Sequence, residues 1–268
     1  EDWQDELFLA RWEGESVAVW QRRWNVPYVE IHDSLPSTNA RARDLAREGA
    51  EPFSVVISEA QTAGRGRGGK RWDSPAGMGL WLSFLLRVQA SGDPTLVPIL
   101  VGLAAARAIE ALCSTLVAGI KWPNDVELEG RKVAGILCER EGVDALVVGV
   151  GINVRQSEDD FAPALRACAT SLKAAGCRVD RGELARILLG EARLVLDPLP
   201  GILDDALRRE LRRRDTLIGR MVSTDTGSQG KAMGIAPDGA LLMEVDGVST
   251  AVRAGGVRVE SRSSENGT

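Results

Sequence analysis

Histidine is almost missing from this chain: His32 is the only one in 268 residues. That excludes a histidine-based zinc site, a Ser–His–Asp triad and a Cys–His pair as the engine of any chemistry. The four cysteines (Cys113, Cys138, Cys168, Cys177) include no CxxC pair, and three of them sit among apolar neighbours. They are expected to be reduced, buried thiols of a cytoplasmic protein. No basic excess is present either, since the net charge is −5. Six acids (Glu1, Asp2, Asp5, Glu6, Glu13, Glu15) against one base (Arg11) in the first sixteen residues account for it, leaving 32 bases against 32 acids. A chain so balanced has no global charge for gripping a nucleic-acid backbone. No apolar run reaches the roughly 20 residues of a membrane span. The acidic start also lacks the basic opening of a secretory signal.

What is present is ordinary globular material, 44% hydrophobic and 26% charged, enough to close a core without disulfides. The opening to Pro27 holds four of the seven tryptophans. It is too short and too acidic for a winged-helix DNA-binding domain, and is expected to be an extra strand or helix packed on the main body. Ser37-Thr38-Asn39 opens a helix, with Ala42, Leu45 and Ala46 on one face and Gly49 beyond its end. Strands are expected at Phe53–Ser58, Leu80–Arg87, Ile120–Trp122 and Ala145–Val154, with a hairpin of Val126–Leu128 and Lys132–Cys138 around Glu129-Gly130. Helices are expected at Pro98–Leu112, 182–196 and 203–214. After Arg214, short strands and glycine turns suggest a β-barrel of about 50 residues. The pattern is α+β around a mixed sheet flanked by helices. The expected units are 1–27 as an extension, 28–214 as the catalytic domain, 215–262 as the barrel and 263–268 as a polar tail.

Three clusters carry chemistry. Between Gln61 and Trp72 there are four bases, no acid and the run Gly64-Arg65-Gly66-Arg67-Gly68-Gly69. Glycines let backbone N–H groups turn to an anion, and arginines grip carboxylate or phosphate with paired bonds. The run also spells GxGxxG, but no helix follows to receive a pyrophosphate. It spells GxxxxGK too, but Arg71 replaces the Ser or Thr of a P-loop. His-Arg-Asp and Asp-Phe-Gly are absent, so a protein kinase is unsupported. The second cluster is Lys121-Trp122-Pro123-Asn124-Asp125, followed by Arg131-Lys132-Val133-Ala134-Gly135. Asp125 is suited to Mg²⁺ shared with phosphates, unless it only forms a surface pair with Lys121. Lys132 starts an inward-alternating strand, where a cation is costly unless an anion meets it. The third is Gly149-Val150-Gly151-Ile152-Asn153, where glycines permit close approach and Asn153 offers an amide.

Taken in order, Ser-Thr-Asn, Gln-Thr-Ala-Gly-Arg-Gly-Arg, Lys-Trp-Pro-Asn-Asp, Arg-Lys-Val-Ala-Gly and Gly-Val-Gly-Ile-Asn, this chain resembles the biotin protein ligases over residues 28–260. The resemblance implies a class II synthetase-like fold with an SH3-like C-terminal barrel. It implies that biotin and MgATP give biotinyl-5′-AMP, and that a lysine of a biotin carboxyl carrier protein then takes the biotin. On that pattern Ser37, Thr38, Asn39 and Gln61 bind the ureido ring. Gly64, Arg65, Gly66 and Arg67 wrap the carboxylate and adenylate. Lys132 stabilises charge at the α-phosphate, and Gly135 lets the ligand chain lie on its strand. Lys121, Asn124 and Asp125 serve the triphosphate and Mg²⁺, while Trp72 and Asn153 hold the adenylate. The chain departs from the pattern at the Asp33-Ser34-Leu35-Pro36 approach and at Gly68, where a larger residue is common. A monofunctional cytoplasmic enzyme, monomer or homodimer, without DNA or membrane contacts, is the expectation. The alternatives are a lipoate–protein ligase, which would need a pocket without ureido partners, and a non-catalytic biotin- or nucleotide-binding regulator.

Overall fold

The computed structural model describes residues 11–260. Two short strands, β1 (Arg11–Trp12) and β2 (Glu15–Ser16), pair antiparallel and lead into α1 (Val17–Trp24). Ser16 caps α1 by accepting from the Val19 N–H, and Asn25 ends it at φ 51°, the left-handed conformation asparagine tolerates. The tryptophan-rich start therefore contributes both strand and helix. Its anchor is aromatic: Trp12, Trp20 and Trp24 are buried. Trp20 and Trp24 stack with centroids 5.5 Å apart, and Trp12 meets both edge-on. Their N–H groups are used as well, Trp20 donating to Trp12 O and Trp24 to Gly182 O. Glu13 pairs with buried Arg181, which also holds Glu59. Trp3 lies outside the described residues.

The main body alternates β3 (Val29–Leu35), α2 (Thr38–Arg47), β4 (Val55–Gln61), β5 (Gly79–Arg87), α3 (Val97–Leu112), β6 (Ala118–Lys121), β7 (Asp125–Leu128), β8 (Arg131–Glu141), β9 (Ala145–Asn153), α4 (Arg181–Leu196) and α5 (Asp205–Arg214). Its seven strands run in the order β3-β4-β5-β9-β8-β7-β6. Only β3 and β4 are parallel, and α2 is the crossover that a parallel pair requires. Both faces of the sheet are covered. Val55, Ile57, Leu82 and Phe84 face the large core with α3, while Val56, Leu85 and Val147 pack with Ala42 and Leu45 of α2. Double coverage is why these strands read as near-continuous apolar runs. The stretch Pro94–Leu112 is long and apolar enough, by length and composition alone, to cross a membrane. Here it is a core helix, buried between the sheet and α4.

Residues after α5 form a second, separate sheet: β10 (Met221–Thr224), β11 (Gln229–Ile235), β12 (Leu241–Val245), β13 (Val248–Val252) and β14 (Val257–Val259). All neighbours are antiparallel, in the order β13-β12-β11-β10-β14. The barrel expected from sequence is not found closed: among the described residues no ladder joins the edge strands β13 and β14. Alternation and glycine turns report hairpins, whereas closure depends on shear and edge pairing, which no local pattern encodes.

The thiol expectation is corrected. Cys113 and Cys177 form a disulfide across 64 residues, with Cα atoms 6.0 Å apart. Cys113 is the C-cap of α3, and Cys177 precedes α4; packing of these helices brings the sulfurs together, a proximity invisible in spacing. Cys138 and Cys168 are free, and burial pushes the Cys138 thiol up to about 12. Cys168 is exposed, against the expectation of burial. Reduction of the disulfide, or Cys113→Ser, is expected to cost about 2–4 kcal/mol by freeing a long loop in the unfolded chain. Thermal melts with and without reductant check this, and identical midpoints would refute it.

The single histidine belongs to a polar group on β3. Buried Glu30 accepts from Tyr28 Oη at 2.9 Å and twice from Arg41 at 2.9 Å, and His32 Nε2 lies 3.1 Å from it. Burial pushes the Glu30 carboxyl up, but His32, Arg41 and Tyr28 outweigh it and hold it at about 2. The unfolded value is near 4.3. Glu30 thus contributes stability above about pH 4.3 that is lost as pH falls through its folded pKa. Glu30→Gln should flatten the fall in stability between about pH 4.3 and 2, measured by denaturant titration at several pH values; an unchanged slope would refute this.

Candidate functional site

The ends of β4, β6, β8 and β9, the N-terminus of α2, the glycine–arginine loop and residues 255–258 of the second sheet enclose a cavity of about 620 Å³. Every site position expected from sequence lines it except Gly64. A Cβ at Gly64 would meet Trp72 O at 2.4 Å, and Gly64 O accepts from Trp72 N–H. Gly64 thus allows the tight closure of its own loop.

One end of the cavity is a relay of neutral donors and acceptors that ends on an Arg65–Glu139 ion pair. Ser37 is buried at the N-cap of α2 but makes no side-chain capping bond. Thr38 donates to Gln61 Oε1 through its backbone N–H at 2.9 Å and its hydroxyl at 3.2 Å. Gln61 Nε2 donates to Ser74 Oγ at 2.8 Å. Fully buried Ser83, on β5, has its Oγ 2.7 Å from Thr38 Oγ1 and 2.6 Å from Asn39 Oδ1. Asn39 Nδ2 in turn donates to Glu139 Oε2 at 2.7 Å, and Arg65 donates to the same oxygen at 2.9 Å. Such a network fixes each side chain's orientation before any ligand arrives.

The glycines of β8 and β9 make room for side chains. A Cβ at Gly149 would lie 2.2 Å from Asn39 Oδ1, and one at Gly151 2.6 Å from Trp72 Nε1. At Gly135 it would meet the Trp72 ring at 3.0 Å and Lys132 at 3.1 Å. Trp72 and Lys132 therefore lie close over Gly135, which itself lines the cavity. Trp72 Nε1 is buried without a hydrogen-bond partner.

The other end is cationic. Lys132 Nζ lies 2.6 Å from Asp125 Oδ1 and 5.1 Å from the Trp72 ring centre. Lysine and aspartate are paired as ions without the alignment of a hydrogen bond. Lys121 pairs with Glu127 at 3.3 Å, so the Lys121–Asp125 surface pair considered from sequence does not form. Asn124 Nδ2 donates to Ile136 O at 2.8 Å, and its Oδ1 accepts from Arg67 Nη1 at 3.0 Å. Arg67 Nη2 reaches Gly255 O of the second sheet at 3.1 Å. One arginine thus ties the glycine loop to both bodies. Among the described residues no group of three His, Cys, Asp or Glu could hold a metal by itself.

Sequence reading missed Ser83, Glu139 and Gln156. Ser83 has a visible signal, a lone hydroxyl inside Leu-Trp-Leu-Ser-Phe-Leu-Leu, since a buried polar group needs a partner. Glu139 and Gln156 have no local signal, because their partners lie far along the chain or beyond a turn.

Residues 32–154 match the model of the biotin/lipoate A/B protein ligase family. Over 229 residues the chain is 36% identical to the bifunctional ligase/repressor BirA of Bacillus subtilis, covering 82% of this chain and 70% of that protein. The chain belongs to this family. It is also 36% identical over 242 residues to the biotin–[acetyl-CoA-carboxylase] ligase of Mycobacterium tuberculosis, covering 85% of this chain and 88% of that one. Among solved structures, the biotin protein ligase of Aquifex aeolicus in complex with biotin and ATP superposes with a TM-score of 0.78 at 25% identity, over 87% of this chain and 100% of that one. In this chain the polar relay and the cationic loop face one cavity.

Proposed function

We propose that this chain is an ATP-dependent ligase that activates biotin and transfers it to a lysine of a biotin carboxyl carrier protein. The observation that carries this reading is one cavity with the Thr38–Gln61–Ser83–Asn39 relay at one end and Arg67, Lys132 and Asp125 at the other. A ureido ring has donors and acceptors that must be satisfied when buried, and Ser37, Thr38, Asn39 and Gln61 are set out to meet them. A dithiolane ring would leave that relay unmatched, which favours biotin over lipoate.

In the first step a biotin carboxylate oxygen attacks the α-phosphorus, the bond to the β-phosphate oxygen breaks, and pyrophosphate leaves. Lys132 and Arg67 face the charge that builds on the transferring phosphorus. Arg65 and Gly66 border the carboxylate. In the second step the carrier's neutral lysine amine attacks the acyl carbon, AMP leaves and an amide forms. The protein supplies position and charge, with no covalent intermediate on a side chain. That is chemistry a chain with one histidine can perform.

Magnesium bound with ATP would neutralise phosphate charge. Asp125 offers one carboxylate, the donor number that suits Mg²⁺ shared with phosphates and water. Lys121 and Asn124 border the triphosphate, and Trp72 and Asn153 the adenylate. We read the second sheet as an SH3-like barrel unit, residues 28–214 as the catalytic domain, and the enzyme as cytoplasmic.

The test is ATP–pyrophosphate exchange with Mg²⁺, comparing biotin with lipoate. Exchange dependent on biotin supports the reading. Exchange with lipoate alone moves the chain to lipoate ligation, and no exchange by folded protein rejects ligase chemistry.

A further inference from the structure

Alternate residues of a strand share one face. Along β8, Gly135 and Leu137 line the cavity, and Glu139 and Glu141 continue their row toward α2. On α2 the facing row is Asn39, Arg43 and Arg47, spaced four residues apart on one side of the helix. Glu141 takes Arg43 at 2.6 Å and Arg47 at 2.9 Å, and so seats the helix on the sheet. Glu139 takes Asn39 and, beyond the helix, Arg65 of the glycine–arginine loop. Both donors end on the same atom: Asn39 Nδ2 lies 2.7 Å and Arg65 Nη2 2.9 Å from Glu139 Oε2. A carboxylate can only accept, so it commits the Asn39 nitrogen to itself and leaves Asn39 Oδ1 to Ser83, 2.6 Å away. The loop, for its part, is shaped by its own backbone, Trp72 N–H donating to Gly64 O and Gly66 N–H to Lys70 O. Those bonds do not place it on the body. Arg67 reaches Asn124 and Gly255, and Arg65 reaches Glu139. Glu139 is therefore where the loop and the polar relay are joined.

We propose that Glu139 is a positioning residue that couples seating of the glycine–arginine loop to binding at the ring end of the cavity. This rests on the ligase reading above and adds a residue that acts through Arg65 and Asn39. Each of those donors is held by an ionised acceptor, the stronger kind of hydrogen bond, and the acceptor is shared. A ligand that orders Asn39 thus orders the oxygen that Arg65 needs, and the seated loop does the same for Asn39. Lys132 and Arg67 have other partners, so the coupling concerns capture of biotin more than the chemical step.

The experiment is biotin-dependent pyrophosphate exchange at saturating MgATP, with biotin titrated. Glu139→Met, similar in length but without the acceptor, should raise the biotin KM about 10-fold or more while kcat falls less than about threefold. Glu139→Gln keeps one oxygen that both donors can reach and should restore KM to within about fivefold of the wild type. Glu141→Met breaks the pairs that seat the same helix without touching Arg65, and should leave the biotin KM unchanged. Arg65→Met should raise KM about 10-fold in the wild type but less than about threefold in a Glu139→Met background, because coupled residues are not additive. If Glu139→Met does not fold, Glu139→Asp, which keeps the charge and withdraws the oxygen by one carbon, is held to the same expectation. A wild-type KM in these variants overturns the proposal. So does an equal rise with Glu141→Met, which would reduce the effect to helix seating, and so do fully additive effects of Arg65 and Glu139. Absence of biotin-dependent exchange in the wild type overturns the ligase reading, and this proposal with it.

Discussion

Lys132→Ala is expected to slow biotin-dependent pyrophosphate exchange about 10²–10³-fold, the range for loss of one preorganised electrostatic stabiliser. The lysine is not a loose surface cation. Asp125 holds its ammonium at 2.6 Å, and the Trp72 ring lies beneath it at 5.1 Å. Trp72 in turn occupies the space left by Gly135 and Gly151. The charge is therefore in place before substrate binds, and no reorganisation is needed as the transition state forms. With the biotin ring at the far end of the cavity, as proposed, biotin affinity should change much less than turnover. Stopped turnover with a preserved melting temperature would place Lys132 in the chemistry. Unchanged turnover would remove it.

Arg67→Gly is expected to release biotinyl-AMP into solution about 10–100-fold faster than the wild type, the worth of hydrogen bonds from a charged group. Arg67 donates to Asn124 on the main body and to Gly255 on the second sheet. Losing it frees the glycine loop, whose Gly68 and Gly69 already sit at positive φ, from its bonds to Asn124 and to the second sheet, leaving the Arg65–Glu139 pair. Free intermediate in the filtrate of a reaction run without carrier protein is the measurement. A variant that retains biotinyl-AMP as the wild type does would show that closure does not depend on this side chain. Asn124→Ala, which removes one of the two acceptors, should give an intermediate rate.

Much of the sheet was legible because double coverage writes its strands as apolar runs, as in Leu80–Arg87. The N-terminus of α2 was legible through Ser37 and the alanines behind it. β3 was not, since its buried Glu30 and His32 imitate a surface segment; they bond to each other, and Glu30's further partner Arg41 lies on α2. At the site, the glycine loop and Lys-Trp-Pro-Asn-Asp announce themselves within a few residues. Glu139 does not: it joins Arg65 and Asn39 across 74 and 100 positions. The same distance hid the Cys113–Cys177 bond. Glycine function was legible in kind only, because sequence shows that a backbone must be approached, not what approaches it. Gly149 and Gly151 are approached by Asn39 and Trp72.

The tryptophan cluster of the N-terminal segment also has an optical consequence. Trp20 and Trp24 lie 5.5 Å apart with ring planes inclined by only 21°, and Trp12 stands across both. Indole transitions this close mix and split, which gives circular dichroism a paired band of opposite signs, distinct from the amide signal. Trp24 is bonded to α4 and Trp12 borders Arg181, so the couplet exists only while the segment is seated. Its loss on heating, set beside the loss of amide signal, separates detachment of residues 11–24 from melting of the sheet.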